Sequence, residues 1–583
     1  MVPETVSTRV RGLDLAIAAA VATVAALIPY HRALGFSFAL DDYTFLFRAA
    51  GIDPDPFTLR RVLATRLYYE LGYELFGVSS TLAWHLVSFL LHVGNALWVY
   101  LLARHFRIAR DAAWLACALF AGGPLAFTVM YWIAGTQELS STFFLLAATW
   151  VALQPGRRPG WSLPLFAAAL LCKESVVAAP LLLPLLGGRR SLRLAAAQLG
   201  LALAFFIAAE LHLRAFETNA ASPYATDYGL GLLRNLGTAF VWLASPWRRY
   251  PDRIAEADPA LLPWAAGMLI AGSLLLAFTR RRFARPALLA SAWFVALLLP
   301  TLPLKRHFFA YYLYLPQVGF LILFAALALA GAHRLAGRPQ RGTAEARLGI
   351  ALFLAMLCLL FAHRNRRTHE TLMLGRSLAH HDAMVRYGSV SGLVRAQIRD
   401  ANLRPEVRRV AIVILGGGEG GLTPGTRKPV PGAVRRRTVP LRNAMYDGKF
   451  FALHFPRLQG NVVDALTAED EGGKTAFFLA YDLATLEPLP DASAAYAILA
   501  LSAFIRDDYN DAGRNAQRAL ALRPDEATAR LVAAGVLARQ GDVRDAERIL
   551  SGLDKQGLGA QMGRFMQKVR DLIAAHESGP ASP

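Results

Sequence analysis

The stretch that decides the fold is residues 161–187, with the sequence WSLPLFAAALLCKESVVAAPLLLPLLG. It is largely apolar and is interrupted by Lys173-Glu174-Ser175. Because a helix needs roughly 20 apolar residues to cross the hydrocarbon core of a bilayer, the stretch is long enough to span a membrane. It forms either one long helix or a tight pair of short helices meeting near the two charges, since broken helices are tolerated where they line a cavity.

Similar apolar segments recur until about residue 361, and ordinary mixed sequence follows. They are 13–30, 81–103, 112–133, 138–153, 194–211, 262–279, 286–303, 309–332 and 346–362. The composition agrees, because 55% of the residues are hydrophobic and only 18% are charged. A soluble enzyme of this size carries more charge, so the sequence predicts a polytopic membrane protein. The first apolar segment continues directly into this pattern, which argues against a cleavable signal peptide.

The net charge of +20 does not indicate nucleic-acid binding, because much of the arginine lies in short clusters between apolar segments. That pattern follows the positive-inside rule of membrane proteins. The clusters lie at 104–110, 157–158, 189–193, 280–285 and 334–347. The three cysteines all lie in apolar stretches and are interpreted as small buried side chains rather than as disulfides or metal ligands.

The arginine clusters predict a topology. If all five are cytoplasmic, the chain crosses an even number of times between neighbouring clusters, and 161–187 must enter and return. This gives about 11 crossings, with the N-terminus inside and the C-terminal part outside. In a bacterial-type inner membrane, that part is periplasmic. Arg60 and Arg61 then lie in a long external loop, 31–80, where the rule is weaker.

The external loop opens with an acidic pair, Asp41-Asp42. A carboxylate there is suited to act as a general base on an acceptor hydroxyl, alone or with a metal ion. The pair is equally suited to be a solvated helix N-cap. A divalent cation, Mg²⁺ or Mn²⁺, is compatible with the pair, but nothing in the sequence requires one.

Other ionisable residues lie within the apolar segments. Lys173 and Glu174 are functional candidates because charges inside a span are costly, although a self-neutralising structural pair explains them too. Glu138 opens the fourth span, where it faces a substrate cavity or complements a helix dipole.

A basic cluster followed by aromatic residues lies at a predicted outer boundary. It contains Lys305, Arg306 and His307, and the tyrosines that follow include Tyr312 and Tyr314. A cationic cluster of this kind suits a lipid phosphate. Ordinary interfacial anchoring also explains the tyrosines, so the phosphate hypothesis depends on Lys305 and Arg306.

Four motifs carry a resemblance to a known family. The chain resembles the GT-C superfamily of integral-membrane glycosyltransferases, in particular the TMTC-type O-mannosyltransferases, which carry TPRs. The motifs are Asp41-Asp42, the stretch from Gly123 to Leu139 containing WIAGTQEL, CKES at 172–175, and YLYLPQVGF at 312–320. There are three departures: Gly123, where the family has histidine; Thr136, where it has arginine; and an insertion, RHFFA at 306–310, that separates Arg306 from the tyrosine motif.

The resemblance implies a polyprenyl-phosphate-linked sugar donor and transfer on the outer side of the membrane. It implies that Asp41 or Asp42 is the base in an inverting displacement. It also implies that Arg306, with Lys173 or Lys305, stabilises the leaving phosphate, where charge develops in the transition state. Glu138, Glu174, Tyr312 and Tyr314 would line the substrate cavity.

The C-terminal part is predicted to be soluble. Val410–Leu415 is predicted to be a buried strand, and the segments 439–444 and 450–455 suggest further strands, hence a small α/β or mostly-β domain. The glycine-rich segment 416–421 formally contains G-x-G-x-x-G. No helix can follow it because of the prolines and glycines that come next, so a flexible loop is favoured over nucleotide binding.

From about residue 493 the sequence becomes helical and alanine-rich with a period of about 34, the TPR length. Ala500 pairs with Ala534, and Ala512 with Ala546. Two units and a final helix at 561–575 are expected to dock on the preceding domain or to bind a partner peptide. The predicted domains are 1–363 (GT-C-like membrane domain), 364–490 (soluble α/β domain), 491–576 (TPR-like repeats) and 577–583 (disordered tail).

Two alternative functions remain open on the sequence. A lipid or polysaccharide transporter would show helices broken at corresponding positions in two halves, and only one broken element is found. A catalytically inactive membrane scaffold would present the TPR-like repeats to protein partners. The need for Asp41 and Asp42 separates the enzyme from the scaffold.

Overall fold

The structure is a computed structural model. It describes residues 12–54, 57–154, 159–213, 225–244, 284–305, 307–335, 383–414, 441–480, 486–553 and 560–577, together with Met356 and Leu359. The chain divides into two compact units. The first comprises Met1–Leu374 with His381–Val385, and the second comprises Gly375–His380 with Arg386–Pro583.

The described part of the first unit is mainly helical. Its α-helices are α1 (Gly12–Tyr30), α2 (Asp41–Ala49), α3 (Tyr68–Phe76), α4 (Leu82–His105), α5 (Arg110–Gly122), α6 (Phe127–Tyr131), α7 (Thr136–Leu153), α8 (Ser162–Cys172), α9 (Leu183–Gly187), α10 (Leu192–Leu213), α11 (Gly231–Ala244), α12 (Ala284–Leu298) and α13 (Gln317–Leu335). A π-helical turn, Val62–Leu67, precedes α3, and a 3₁₀ segment, Glu174–Leu182, separates α8 from α9.

Three helical stretches of the described chain are long and apolar enough to cross a membrane: Gly12–Gly35, Leu82–His105 and Glu174–Ala208. A fourth is obtained if α5 and the Pro124–Tyr131 segment, bent by 41°, are counted as one span. The prediction of eleven crossings is therefore not confirmed. The predicted spans 262–279 and 346–362 lie outside the described residues, apart from Met356 and Leu359.

Two of the predicted spans are broken. The segment 112–133 breaks at Gly123-Pro124, where proline ends the helical hydrogen bonding. The segment 161–187 breaks at Lys173, whose backbone is extended, with φ −162° and ψ 130°. The sequence allowed either one long helix or a break at the charges, and the structure shows the break. The helical run then continues through the arginines at 189–190, where the sequence predicted a loop between two spans.

Helix α4 is the centre of the unit, because α1, α5 and α7 all pack against it. The contact faces are rich in alanine, including Ala22, Ala96 and Ala113, which are fully buried. Small residues at such faces let helix backbones approach closely in a membrane, where lipid removes most of the hydrophobic driving force.

The second unit contains most of α14 (Ala383–Asp400), from Arg386 onwards, and a four-stranded sheet of order β2-β1-β3-β4. Its strands are β1 (Arg409–Ile414), β2 (Gln459–Val463), β3 (Thr475–Ala480) and β4 (Leu486–Leu489). Strand β1 is parallel to both β2 and β3, whereas β4 is antiparallel to β3. The predicted buried strand at 410–415 is therefore confirmed, as is the small α/β character.

The two other predicted strands are wrong. Short helices occupy these positions: α15 (Leu441–Ala444) and α16 (Lys449–His454), followed later by α17 (Ala468–Glu471). Helix α16 buries both Phe450 and Phe451, which adjacent strand positions on a one-sided sheet would not allow. The glycine-rich segment 416–421 lies outside the described residues.

The repeats form α18 (Ala492–Ile505), α19 (Tyr509–Leu522), α20 (Ala527–Gln540), α21 (Val543–Leu553) and α22 (Ala560–Glu577). Ala500, Ala512, Ala534 and Ala546 are all fully buried, which agrees with the predicted 34-residue period. Helix α18 also packs on the sheet through Ala495 and Leu499 in a core shared with β1 and β3. The repeats and the sheet therefore form one compact unit.

Candidate active site

The acidic pair lies at the first turn of α2, directly after a strained residue. Leu40 has φ 48° and ψ −116°, a backbone conformation that residues with a side chain rarely adopt. Such strain persists only where the surrounding structure enforces it, and it concentrates at functional sites. The helix that follows carries Asp41 and Asp42 on different sides, because successive helical residues differ in direction by about 100°.

Asp42 is fully buried and anchors three segments of the unit. Its Oδ2 accepts a hydrogen bond from the Ala39 N–H at 2.8 Å. Its Oδ1 accepts from the Tyr69 hydroxyl and from the Ala134 N–H, both at 2.6 Å. Burial raises the pKa of Asp42 to about 7, and the three donors oppose that rise. Since both oxygens are already engaged, this carboxylate holds the site together.

Asp41 has the opposite environment. Its side chain is exposed, and it makes no hydrogen bond or ion pair with any described residue. Protein atoms nevertheless crowd the carboxylate enough that burial raises its pKa, while the charges of Arg61 and Lys173 act against this rise. Asp41 is thus an available carboxylate beside two cations.

Two consecutive arginines form ion pairs with Glu174. Arg60 Nε donates to Glu174 Oε1 at 3.1 Å, and Arg61 Nε donates to Oε2 at 2.8 Å. Arg61 Nη1 also donates to Gln137 Oε1 at 3.1 Å. Arg61 has a left-handed backbone, with φ 58°, so this residue is strained as well. The side chain of Arg60 is 40% exposed and that of Arg61 is 22% exposed. Two partly accessible guanidinium groups therefore share one carboxylate.

Lys173 and Glu138 form a buried ion pair, with side-chain exposures of 7% and 6%. The Lys173 ammonium also lies 5.3 Å from the ring centre of Tyr311 and 5.0 Å from that of Tyr312. Cation–π contacts at such distances stabilise a lysine that is removed from water. Because the helix breaks at Lys173, two neighbouring ion pairs form. In one the lysine pairs with Glu138, and in the other Glu174 pairs with the two arginines.

The structure brings six of the predicted site residues into one region and keeps two others apart from it. The first group is Asp41, Asp42, Glu138, Lys173, Glu174 and Tyr312, which we call the charged cluster together with Arg60, Arg61, Gln137 and Tyr311. Lys305 is exposed, and its backbone N–H bonds to the Ala225 carbonyl, outside the cluster. Arg306 lies outside the described residues.

Tyr314 packs between helices in the interior of the unit, outside the charged cluster, whereas the sequence predicted it at the substrate cavity. It is fully buried, and its hydroxyl contacts His92 Nδ1 at 2.7 Å and Asn95 Nδ2 at 3.2 Å. His92 Nε2 lies 2.9 Å from the Ala121 carbonyl, which only accepts. His92 therefore carries its proton on Nε2 and accepts a hydrogen bond from the Tyr314 hydroxyl on Nδ1, so this motif tyrosine ties the segment just before α13 to α4 and α5.

Sequence reasoning missed Arg60, Arg61, Gln137 and Tyr311 as site residues. One signal was present for the arginines, because they lie on the predicted outer face against the positive-inside rule. Two of the departures from the family pattern, Thr136 and Gly123, make structural hydrogen bonds here. Thr136 Oγ1 donates to the Ile133 carbonyl at 2.9 Å, and the Gly123 carbonyl accepts the Tyr30 hydroxyl.

The described residues do not provide a metal site. Asp42 uses its oxygens on protein donors, Glu138 pairs with Lys173, and Glu174 pairs with the arginines, which leaves Asp41 as the available carboxylate in the cluster. Across the described chain, no three histidine, cysteine or acidic side chains converge in metal-binding geometry. A hard divalent cation needs several oxygen ligands, so this set does not fit one.

Two parts of the chain match known families. Residues 64–212 match the family model described as dolichyl-phosphate-mannose-protein mannosyltransferase, and residues 503–569 match that described as tetratricopeptide repeat. No protein of curated function and no solved structure matches the chain significantly. The first matched range contains Glu138, Lys173 and Glu174, whereas Asp41 and the two arginines precede it.

The chain thus combines a helical unit that has candidate membrane spans and matches a mannosyltransferase family model over residues 64–212 with a C-terminal unit that contains a TPR match. More particularly, the combination confirms the resemblance to TMTC-type O-mannosyltransferases that the motifs predict.

Proposed function

We propose that the protein transfers a sugar from a polyprenyl-phosphate donor to an acceptor hydroxyl, with inversion at the anomeric carbon. The observation that supports this most directly is Asp41, an accessible carboxylate beside a pair of partly exposed arginines. The reaction requires these two functions, a base for the acceptor and positive charge for the leaving phosphate. The proposal places the site on the outer side of a bacterial-type inner membrane, with the C-terminal unit in the periplasm.

In the proposed mechanism Asp41 removes the proton from the acceptor hydroxyl. The acceptor oxygen attacks the anomeric carbon from the face opposite the phosphate, and the bond between that carbon and the phosphate oxygen breaks. Its electron pair leaves with the phosphate, so polyprenyl phosphate gains one negative charge and Asp41 ends protonated. Asp42 keeps α2 in place, since its own oxygens are occupied.

Arg60 and Arg61 would stabilise the negative charge that develops on the phosphate. They share one carboxylate, so together they keep a net positive charge, and the planar guanidinium group matches phosphate oxygens. Lys173 is enclosed by Glu138 and two tyrosine rings. In this proposal the role of Lys173 is to favour the charged form of Asp41, and it does not contact the phosphate. The TPR unit would supply the contact with a protein partner, a common role for such repeats.

The test is sugar transfer by the full-length protein in lipid vesicles. Polyprenyl-phosphate-mannose is the first donor to try, with envelope extract as the source of acceptors. Asp41→Asn is expected to reduce turnover by about 10²–10⁴-fold, the usual contribution of a general base. Glu70→Gln is the matched control, because Glu70 is a surface acid of the same loop that pairs with Arg66. The anomeric configuration of the product tests inversion.

The pH profile tests the role of Asp41 separately. Because its pKa is raised, the acid limb of kcat/KM should lie above the ordinary value of 3.8 for an aspartate. Arg61→Gln removes a charge that lowers this pKa, so it should move the acid limb to higher pH. Full turnover in Asp41→Asn would rule out this base. Absence of transfer by the wild type with every donor would favour the inactive scaffold.

A further inference from the structure

A cavity of about 370 Å³ lies in the first unit, away from the charged cluster. Its walls come from the end of α4, from α9, and from the facing sides of α12 and α13. The volume falls within the ~300–1,000 Å³ range typical of ligand sites. Most of the lining is aliphatic or aromatic, as in Leu102, Leu289 and Ile322.

The polar part of the cavity lies at one end and is basic. Arg107 and Arg285 both line it, both are exposed, and neither side chain has a hydrogen bond or ion pair with a described residue. No acidic residue is among the residues that line the cavity. Arg107 lies two residues after the end of α4 and Arg285 lies at the start of α12, so both belong to the arginine-rich end of the helices. The cavity therefore combines a basic end, which suits an anionic group, with an apolar groove.

The length of the groove fits one leaflet of a bilayer. From Arg285 to Trp293 the lining follows α12 for about 12 Å, at 1.5 Å per residue. Half of a hydrocarbon core is about 15 Å thick. Gly319 keeps the wall thin, because a Cβ there would meet the Ala290 Cα at 3.1 Å. A ligand with an anionic head and chains of leaflet length matches this shape.

We propose that this groove is a binding site for an anionic glycerophospholipid of the leaflet that faces the arginine clusters. Its phosphate would lie between Arg107 and Arg285, and an acyl chain would follow α12 and α13. Such a lipid would fill the gap between α4 and the α12–α13 pair. Juxtamembrane arginines attract anionic lipids in this way, each contributing to the affinity. The site is separate from the proposed catalytic residues and does not depend on the reaction.

The test uses full-length protein in phosphatidylcholine nanodiscs that contain phosphatidylglycerol with a photoreactive diazirine in one acyl chain. After illumination, mass spectrometry locates the adducts. We expect them on peptides of α12 and α13, with competition by unlabelled phosphatidylglycerol and not by phosphatidylcholine. Arg107→Ala and Arg285→Ala should each weaken labelling about fivefold. Arg190→Ala is the matched control, because Arg190 is an exposed arginine that does not line the groove.

A second variant tests the groove without touching the arginines. Ala326→Phe places a ring in the lining beside Ile322 and should remove the adducts on α13. Equal competition by phosphatidylcholine would overturn the proposal in favour of unspecific annular lipid. Stronger competition by polyprenyl phosphate would overturn it in favour of a path for the donor. Unchanged labelling in both arginine variants would also contradict it.

Discussion

The membrane unit and the C-terminal unit treat charge in opposite ways. In the membrane unit Asp42, Glu138 and Lys173 are buried among apolar helices. In the described part of the C-terminal unit, Asp470 is the buried charged residue, and it closes a capping box with Thr467. The core of the repeats is built instead from alanines such as Ala500 and Ala534.

This difference shows that the two units use different interactions. Burying a charge costs several kcal/mol even when it is paired, so an apolar pair of equal volume is often as stable. Charged pairs inside the membrane unit are therefore poor devices for stability, and their concentration around Asp41 points to chemistry. The repeats, by contrast, depend on close packing, because small residues at helix contacts leave little tolerance for added volume.

The largest expected effect comes from Asp42. Asp42→Ala leaves the N–H groups of Ala39 and Ala134 and the Tyr69 hydroxyl buried without their acceptor. Each unsatisfied donor costs about 1–3 kcal/mol, so we expect a loss of roughly 3 kcal/mol or more in the free energy of unfolding. Thermal unfolding followed by the reactivity of the buried thiols of Cys117 and Cys172 measures it. The neighbouring Asp41→Ala should change stability by less than about 0.5 kcal/mol, and an equal loss in both variants would break the distinction.

The next effect concerns the buried ion pair. Glu138→Gln leaves the Lys173 ammonium without its charged partner and should destabilise the membrane unit by about 3–5 kcal/mol. The double variant Glu138→Leu with Lys173→Met removes both charges and should recover most of that loss. The same thiol assay compares the three proteins. A double variant as unstable as the single one would show that the pair itself stabilises the fold.

A smaller effect tests packing in the repeats. A Cβ at Gly535 would lie 2.8 Å from the Phe504 ring and 3.3 Å from Val569, so Gly535→Ala should cost about 1–3 kcal/mol. The matched control is Gly513→Ala, whose Cβ would meet only Val536, at 3.7 Å. Because alanine favours the helix over glycine, this change should stabilise by about 0.5–1 kcal/mol. Urea unfolding of the full chain, read by far-UV circular dichroism, should show opposite signs.

The smallest effect concerns a helix cap. The Asp508 side chain accepts from the Asp511 N–H at 3.1 Å at the start of α19. Asp508→Ala should lower the stability of the C-terminal unit by about 1 kcal/mol, the usual contribution of an N-cap. Asp525→Ala, at an exposed position with no cap bond, should stay within about 0.5 kcal/mol. Equal effects in the same urea titration would mean that surface charge, and not capping, is measured.

The local patterns predicted most of the elements that depend on periodicity. The repeats follow from small residues recurring at 34 positions, and β1 follows from an uninterrupted apolar run. The predictions failed where tertiary contacts override composition. The segment at Phe450-Phe451 has the aromatic content of a strand, yet it forms a helix whose Phe451 ring packs directly on Gly460 of β2. No local signal contains that contact.

The sequence by itself determined the membrane character, the TPR period and the motifs that resemble a glycosyltransferase. These features depend on hydropathy, charge and spacing, which the chain shows directly. Only the tertiary structure decided which member of the acidic pair is available and that Arg60 and Arg61 meet Glu174. Asp41 and Asp42 have the same chemistry and adjacent positions, and only the helix direction and the donors brought from distant segments distinguish them.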